Sequence, residues 1–371
     1  MSIISSAKHF ANAQMNKYFT GKKMRARADF CNGNLLKKMQ SPHVMTDEEK
    51  KAFADYWKPY YDKTDLPFNY IGAEYYREKA GRFDVRFLPD DIYYTYIDPH
   101  FNDWTASHYM DNKCLYSRYY SGLSFPVRMP AIVASRMNDI WIDGDGELLP
   151  GDLVQKACAA HDEVIIKAAT ESFYGTGVHF RKGDDWEGIN AAFREIGKND
   201  VVIQTILRQH AELSRFNASS VNTIRIMTML TQENARIVST ILRVGQNGSR
   251  KDNAGGGNLG ITCGILPDGR LKKTARTIWG LEFEEHPDSG VRFGDFIVPG
   301  FDKARDMVLK LCKLLPRFRM VSWDIAIDEE GEPVLIEVNL CSGGLNIHQV
   351  NNGPLFGDET EAILAEVFSG K

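Results

Sequence analysis

The chain has 371 residues, of which 43% are hydrophobic and 25% are charged, and its formal net charge is −4. This composition is ordinary for a soluble globular protein, and the length is enough for two or three lobes. The small negative charge gives no electrostatic basis for binding nucleic acid or an anionic membrane surface. No apolar run approaches the roughly 20 residues of a membrane span. The N-terminal sequence, Met1 to Ser6, also lacks the apolar core of a signal peptide.

The six cysteines are scattered along the chain and form no CxxC pair. Such spacing predicts reduced thiols rather than a disulfide framework. We therefore expect a cytoplasmic protein without integral membrane contact and without a nucleic-acid partner.

Residues 1–95 are predicted to form a mainly helical region that is rich in aromatic side chains. Thr46-Asp-Glu-Glu49 matches a capping box and predicts a helix that continues through Trp57. The many Tyr and Phe residues between Tyr60 and Tyr96 favour core packing, because little basic charge accompanies them as a nucleic-acid stacking surface would need.

The next stretch, residues 96–203, is predicted to contain both helices and short strands. In it, Asp111-Asn-Lys113 precedes a short helix, and Glu163–Ala169 is predicted as a strand with Lys167 near its end. A returning strand, Val178–Arg181, completes a hairpin whose glycine-containing tip can bring backbone N–H groups close to anionic oxygens. The Walker A spacing is missing, so this hairpin alone is a weak signal of phosphate binding.

Asp200–Leu207 predicts a strand that runs into the connection between two lobes, with the amide side chain of Gln204 on it. A backbone segment of this kind can present N–H and C=O groups to an adenine edge while apolar side chains enclose the ring. A plain buried strand fits the same periodicity equally well.

Ser219–Leu230 and Ala235–Gly245 predict another hairpin, in which Arg225 and Arg243 interrupt apolar strands roughly opposite each other. Facing guanidinium groups are unfavourable unless an anion such as a transferring phosphate lies between them. The alternative is that each arginine pairs with a carboxylate of the chain. The Gly-rich stretch that follows brings Asn253 within reach of the same site.

Val321–Asn339 predicts a final β-hairpin, because two alternating apolar runs flank the turn segment Asp328–Pro333. Folded about this turn, Asp324 lies opposite Glu337, and Asn339 shares their face. Two carboxylates directly across a strand pair repel each other, which destabilises the hairpin. A divalent cation bound between them would make the same arrangement favourable. Mg²⁺ takes carboxylate and amide oxygens and leaves positions open for phosphate. We predict a metal site here; the alternative is a solvated acidic face on an edge hairpin.

The other face of this hairpin is predicted to be buried, because side chains alternate along a strand. It consists of Trp323, Ile325, Ile327, Val334, Ile336 and Val338. The same register places Ser322 opposite Asn339.

Taken in order, these motifs resemble the ATP-grasp superfamily. The most specific match is the Asp-to-Glu-x-Asn element, from Trp323-Asp324 to Ile336-Glu337-Val-Asn339. More narrowly, the chain is similar to the sugar-transfer-associated ATP-grasp group. The motifs that carry this similarity are Leu88-Pro-Asp-Asp-Ile92, Asp111-Asn-Lys113, His286-Pro-Asp-Ser-Gly290 and Trp323-Asp-Ile-Ala-Ile327. The match covers most of the chain from about residue 80 onward.

The resemblance implies an ATP-grasp fold of class α+β, in which two α+β lobes sandwich ATP after a mainly helical N-terminal region. Residues 96–203 would form the lobe with the glycine-hairpin lid, and residues 204–371 the lobe with the metal and phosphate site. The implied nucleotide contacts are Lys113, Lys167, Gly175, Thr176 and Gly177 on the phosphates, Gln204, Thr205 and Ile206 on adenine, Gln209 or His210 on the ribose, and Asn253 near the phosphates. Gln204 departs from the family pattern, where Glu is commoner.

The resemblance also implies a metal centre and two catalytic arginines. Asp324, Glu337 and Asn339 would hold one or two Mg²⁺ ions, with Mn²⁺ as an alternative. Arg225 and Arg243 would stabilise the transferred phosphoryl group and then an acyl phosphate.

The implied activity is that of an ATP-dependent carboxylate–amine ligase, which forms an amide through an acyl phosphate from a small-molecule acid and a small-molecule amine. The family name suggests surface-polysaccharide or secondary metabolism as its context. Two alternatives stay open: an ATP-grasp phosphotransferase of the kinase type, and a non-catalytic ATP-binding module. We find no candidate for a general base in the sequence.

Overall fold

The helices and strands of the chain divide between two units. The computed structural model describes residues 21–41, 43–120, 122–170, 177–197, 200–252 and 260–369. One unit comprises the described residues up to Phe101 together with those from Gly344 onward, and the other is Asn102–Gly343. The fold is of class α+β, as predicted. The predicted domain boundaries at residues 95 and 203 stay predictions.

The first unit is helical in its described parts. Its helices are α1 (residues 21–36), α2 (Asp47–Tyr61), α3 (Ile71–Lys79), α4 (Asp90–Ile92), the π-helical stretch Tyr93–Ile97, α5 (Asp98–Phe101), α12 (Leu345–Asn352), the 3₁₀ turn Gly357–Glu359 and α13 (Thr360–Phe368). The predicted capping box is present: the Glu49 N–H donates to the Thr46 hydroxyl, and the Thr46 N–H donates to the Glu49 carboxylate. Helix α2 therefore starts where predicted and ends four residues beyond Trp57.

A buried amide joins the two parts of this first unit. The side chain of Gln349 on α12 is fully buried, donates to the Leu88 carbonyl at 3.1 Å and accepts from the Leu88 N–H at 3.0 Å. Its oxygen also accepts from the N–H of Leu355. A buried peptide group that finds no partner is costly, so this pairing fixes α12 against the segment before α4.

The second unit contains all twelve strands assigned within the described residues. Its helices are α6 (Trp104–Met110), α7 (Tyr116–Tyr120), α8 (Gly151–Ala159), α9 (Trp186–Ile196), α10 (Ala211–Ser214) and α11 (Phe301–Leu311), which continues into the 3₁₀ turn Cys312–Leu314. Its strands are β1 (Ile132–Met137), β2 (Ile140–Ile142), β3 (Glu163–Ala168), β4 (Val178–Lys182), β5 (Val201–Thr205), β6 (Thr223–Leu230), β7 (Ala235–Val244), β8 (Ile261–Ile265), β9 (Leu271–Thr277), β10 (Glu282–Phe283), β11 (Met320–Ile327) and β12 (Pro333–Asn339).

These strands form two antiparallel sheets. The five-stranded sheet has the order β2-β1-β5-β3-β4, and the seven-stranded sheet has the order β10-β9-β8-β7-β6-β11-β12. Trp323 lies in the core of the larger sheet, where it is fully buried and its indole N–H donates to the Thr228 hydroxyl at 2.9 Å. The predicted hairpins therefore form, and the larger sheet holds the predicted metal and arginine strands side by side.

Among the described residues, no helix is long and apolar enough to cross a lipid bilayer.

Candidate active site

A cavity of about 450 Å³ in the second unit is lined by residues from both sheets. The smaller sheet contributes apolar side chains, Lys167 and Thr205, and the segment after β5 contributes Ile206 and Gln209. The larger sheet contributes Thr223, Arg243, Asp324, Ile336 and Glu337, and Lys113 reaches the cavity from the segment before α7. Eight of the predicted site residues thus line one cavity: Lys113, Lys167, Thr205, Ile206, Gln209, Arg243, Asp324 and Glu337.

The register of the β11–β12 hairpin is the predicted one around the carboxylates. Asp324 pairs with Glu337, and Ser322 pairs with Asn339. Asp324 is only 1% exposed, and the side-chain amide of Asn339 donates to the Ser322 carbonyl at 3.3 Å. Asn339 does not line the cavity, although it belongs to the same strand as Glu337.

A bulge corrects one part of the hairpin prediction. The register shifts beyond Asp324, so that Ile325 pairs with Leu335 and not with Ile336. A bulge places two residues opposite one and changes which side chains face the core. Leu335 is buried in the core of the sheet, whereas Ile336 lines the cavity. The prediction that Ile336 belongs to the buried face was therefore wrong.

The two arginines do not lie opposite each other, which corrects the second register prediction. Arg243 pairs with Thr223 across the strands, and Arg225 pairs with Ile241. The Arg225 side chain instead donates two hydrogen bonds of 2.7 Å to Asp324 on the neighbouring strand. Arg243 Nη2 lies 3.1 Å from Asp324 Oδ2. The alternative prediction, that each arginine pairs with a carboxylate of the chain, is therefore the one the structure shows. Arg225 and Arg243 both contact the same carboxylate, Asp324.

The ionisation of Asp324 follows from these two contacts. Burial alone would raise the pKa of this carboxyl group, but Arg225 and Arg243 outweigh burial and hold the pKa at about 2. The group is therefore a carboxylate at physiological pH.

The two lysines lie in different electrostatic surroundings. Lys113 Nζ is 2.9 Å from Glu337 Oε1, and although burial alone would lower the Lys113 pKa, Glu337 and Asp111 raise it. Lys167, near the end of β3, forms no ion pair with a carboxylate in the described part of the chain, and burial together with the charge of Lys113 lowers its pKa to about 8. Both ammonium groups face the cavity, and only Lys113 is neutralised by direct contact.

In the segment predicted to bind the adenine base and the ribose, Gln204 and Gln209 already have partners within the protein. Gln204 pairs with Ile132 on one side and Ile165 on the other, and its buried side chain does not line the cavity. The Gln209 amide nitrogen donates to the carbonyls of Asn217 and Ser220 at 3.0 and 2.6 Å, and its oxygen accepts two bonds from Asn222. A side-chain amide has no further capacity, so a ribose contact would require Gln209 to give up one of these bonds.

Three predicted phosphate contacts, Gly175, Thr176 and Asn253, lie outside the described residues. Gly177 is described and has a φ of +70°, in the left-handed region that favours glycine. Its carbonyl accepts from the Ala168 N–H at 3.1 Å, at the end of the β3–β4 pair that is nearer the connecting loop. Gly177 does not itself line the cavity.

Asp252 is a carboxylate of the cavity that was not predicted from the sequence. Asp252 is 7% exposed, accepts a hydrogen bond from the Thr223 hydroxyl and lies 3.4 Å from Arg243 Nε. The only signal in the sequence was its position next to Asn253, before the glycines. The Arg243 guanidinium is therefore in contact with two carboxylates, Asp252 and Asp324.

A second missed feature connects the two sheets at the cavity. Arg250 Nη1 and Nη2 lie 2.5 and 2.6 Å from the two oxygens of Glu163, at the start of β3. The Arg250 guanidinium also lies over the ring of Phe180 on β4, 3.8 Å from its centroid. We call this set, Arg250, Glu163 and Phe180, the clasp. Arg250 and Phe180 both line the cavity.

The donor atoms of the hairpin fit a hard divalent cation. Asp324 and Glu337 carry carboxylates at directly opposite positions, and Asn339 carries a side-chain amide two residues further along the strand. Within the described ranges no group of three or more His, Cys, Asp or Glu side chains is placed to hold a metal ion. A site with two carboxylates and an amide suits Mg²⁺ shared with phosphate oxygens better than a closed all-protein cage.

The α+β architecture and this cavity agree with the class of protein that the sequence resembles. Residues 96–364 match the family described as sugar-transfer associated ATP-grasp. The match spans most of the chain, which therefore belongs to this family. No curated protein matches the sequence.

Solved structures of similar fold have low sequence identity to the chain. The D-Ala:D-Ser ligase VanG from Enterococcus faecalis has a TM-score of 0.44 and 10% identity, over 69% of this chain and 60% of that one. The biotin carboxylase domain of the Hydrogenobacter thermophilus 2-oxoglutarate carboxylase, crystallised with MgADP and bicarbonate, has a TM-score of 0.42 and 13% identity, over 72% of this chain and 47% of that one. The L-amino acid ligase from Bacillus licheniformis has a TM-score of 0.39 and 13% identity, over 70% and 48%. The chain thus spans less than two thirds of the length of these proteins.

Proposed function

We propose that this protein is an ATP-dependent carboxylate–amine ligase that forms an amide through an acyl-phosphate intermediate. The observation that carries the proposal is the convergence of Lys113, Lys167, Arg243, Asp324 and Glu337 on one cavity between two sheets. Membership of the ATP-grasp family supports it. The acid and the amine are small molecules, and surface-polysaccharide or secondary metabolism is the context that the family name suggests.

In this proposal the cavity holds ATP with its base near Thr205 and Ile206 and its phosphates near the two lysines. Ile165, Val178 and Ile336 line the cavity and would enclose the base. The roles of Gly175, Thr176 and Gly177 as a lid, of Gln204 and Gln209 on the nucleoside, and of Asn253 near the phosphates belong to the same proposal.

Asp324, Glu337 and Asn339 would hold one or two Mg²⁺ ions, or Mn²⁺ in their place. When bound, the metal supplies positive charge that neutralises the transferred phosphoryl group. Arg243 lies on the cavity wall and would stabilise the phosphoryl group and the acyl phosphate. Arg225 does not line the cavity, so it would act in catalysis indirectly, by holding Asp324 in position through its two hydrogen bonds.

The residue types suit activation of a carboxylate. A carboxylate is a poor electrophile because it is anionic and would have to expel oxide. Phosphoryl transfer from ATP to a carboxylate oxygen gives an acyl phosphate and ADP, and attack by the amine then expels inorganic phosphate and forms the amide. The site needs to position the reactants, neutralise charge and exclude water.

The test is phosphate release from ATP and Mg²⁺, measured with a panel of amino acids, uronic acids and small amines. We expect release that requires both an acid and an amine, and its loss in Glu337→Gln. Glu332→Gln is the matched control: Glu332 lies in the turn of the same hairpin and pairs with Lys303 outside the cavity, so this variant should keep full activity.

Other outcomes would redirect the proposal. Release with one partner alone and a stable phosphorylated product would indicate a phosphotransferase of the kinase type. Binding of Mg-ATP that raises the melting temperature, without turnover on any pair in the panel, would favour a non-catalytic ATP-binding module. Retention of full activity by Glu337→Gln would remove the proposed metal site.

A further inference from the structure

Both carboxylates on the cavity side of the β11–β12 hairpin are in contact with cationic side chains. Lys113 contacts Glu337, and Arg225 and Arg243 contact Asp324. These groups are largely buried, so unpaired charges among them would be costly. Each of the two proposed metal-ligating carboxylates is therefore already in contact with a cation of the chain.

A metal ion and these cations compete for the same carboxylate oxygens. A divalent ion that approached the pair Asp324–Glu337 would displace Lys113 from Glu337 and would be repelled by the ammonium group left beside it. Asp324 is held by two arginines and is 1% exposed, whereas the Glu337 side chain is 26% exposed and contacts one cation among the described residues, Lys113. Glu337 is thus the carboxylate that can exchange its partner.

A polyphosphate changes this balance. Its oxygens offer Lys113 a new anionic partner, and Lys113 lines the cavity where the phosphates are proposed to lie. When Lys113 turns to the phosphate, Glu337 is left as an uncompensated carboxylate that favours the metal. The two ligands then help each other, and by thermodynamic linkage each raises the affinity of the other by the same factor.

From this geometry we infer that Lys113 couples metal binding to nucleotide binding. Without nucleotide, Lys113 forms an ion pair with Glu337, and when a phosphate of the nucleotide binds Lys113, Glu337 is released to bind the metal ion. Lys113 is here a positioning residue that suppresses binding of the metal without nucleotide. The inference rests on the proposed function, because it takes the cavity to be the site of ATP and its metal.

The test uses the full chain with Mn²⁺ and ADP as probes. Bound Mn²⁺ is measured by electron paramagnetic resonance, alone and with saturating ADP, after correction for the Mn–ADP complex in solution. For the wild type we expect ADP to raise Mn²⁺ affinity at least tenfold. In Lys113→Met we expect Mn²⁺ alone to bind at least tenfold more tightly than in the wild type, and the effect of ADP to fall below about threefold.

Lys167→Met is the matched control, because Lys167 lines the same cavity and forms no ion pair with a described carboxylate. This variant should lose affinity for ADP without any gain in affinity for Mn²⁺ alone. A gain of the same size in Lys167→Met would show a general effect of cavity charge and would overturn the specific role of Lys113.

The outcomes separate this inference from the proposed function. If the wild type binds Mn²⁺ alone as tightly as with ADP, the inference is wrong, and that result needs no variant to fold. If Lys113→Met, folded by circular dichroism, keeps the wild-type coupling, the inference is also wrong while the nucleotide site stands. If the wild type binds neither ADP nor Mn–ADP, the proposed function fails and the inference fails with it.

Discussion

Lys167 carries its ammonium group into the cavity, and its surroundings make that charge depend on pH. Burial, helped by the charge of Lys113, lowers the pKa of Lys167 to about 8. A neighbouring Asp or Glu in contact would have opposed this shift, as Glu337 does for Lys113. Lys167 is therefore mainly charged at pH 7 and mainly neutral at pH 9.

This gives a prediction for nucleotide binding. Phosphate oxygens favour the charged lysine, so the affinity for ADP should fall as the pH rises through about 8, by roughly tenfold between pH 7 and pH 9.5. Isothermal titration calorimetry across this range measures the effect. In Lys167→Met the affinity should be low throughout and nearly independent of pH. A pH profile of the same steepness in this variant would assign the titration to another group.

The arginines show where reasoning from single residues reached its limit. The sequence indicates that Arg225 and Arg243 share a polar face, because both interrupt apolar strands. It does not contain the strand order β7-β6-β11, which places Asp324 directly beside Arg225. A contact between residues 99 positions apart depends on sheet topology, which local periodicity does not carry.

At the scale of elements, the bulge in β12 determines which side of the sheet two neighbouring aliphatic side chains face. Leu335 packs into the core of the larger sheet, and Ile336 faces the cavity. An alternating strand without a bulge would have put Leu335 on the cavity side and Ile336 in the core.

The two residues therefore predict a matched pair of variants. Leu335→Ala should lower the free energy of unfolding by about 2–5 kcal/mol, because it opens a cavity in the core. Ile336→Ala should change stability by less than about 1 kcal/mol and weaken ADP binding by roughly five- to tenfold, because it removes apolar surface that would cover the base. Urea denaturation and calorimetry measure the two effects; the reverse assignment of effects would contradict the proposed position of the base.

Much of the element structure follows from the sequence, and the exceptions have physical causes. The capping box, the pairing of β3 with β4 and the Asp324–Glu337 register were all confirmed, since turn residues and alternation fix them locally. The bulge was missed because Val334, Leu335 and Ile336 are all aliphatic, so the residue types alone do not decide which of them faces the core. Asp252 and the clasp were missed because they depend on loop conformation and on contacts between the two sheets.

At the scale of the whole molecule, the clasp links the two sheets that form the cavity. Its ion pair is 43% exposed at Arg250 and 32% exposed at Glu163, so it is open to screening by salt. Exposed pairs contribute about 1 kcal/mol or less, and a ring beneath the guanidinium adds a similar amount. The clasp is thus weak enough to open by thermal motion and strong enough to slow the release of a bound nucleotide.

We predict that the clasp slows release of nucleotide. Glu163→Gln should raise the dissociation rate of a fluorescent ADP analogue by roughly three- to tenfold and make this rate less sensitive to NaCl, as stopped-flow displacement would show. Glu282→Gln is the control, because Glu282 on the edge strand β10 forms a partly exposed ion pair with Arg276 on β9, away from the cavity. Equal rates for wild type and Glu163→Gln at low salt would exclude a role of the clasp in release.

The division of the chain into units also has a consequence for biosynthesis. Helices α12 and α13 belong to the same unit as residues before Phe101, and Gln349 is bonded to Leu88 from 261 positions away. On the ribosome, Asn102–Gly343 emerges in full while the earlier helices still lack these partners. We therefore expect the usual order, in which the N-terminal unit folds first, to be reversed. Leu88 and its neighbours would keep apolar surface exposed until Gln349 is synthesised, and that surface would be a natural target for chaperones.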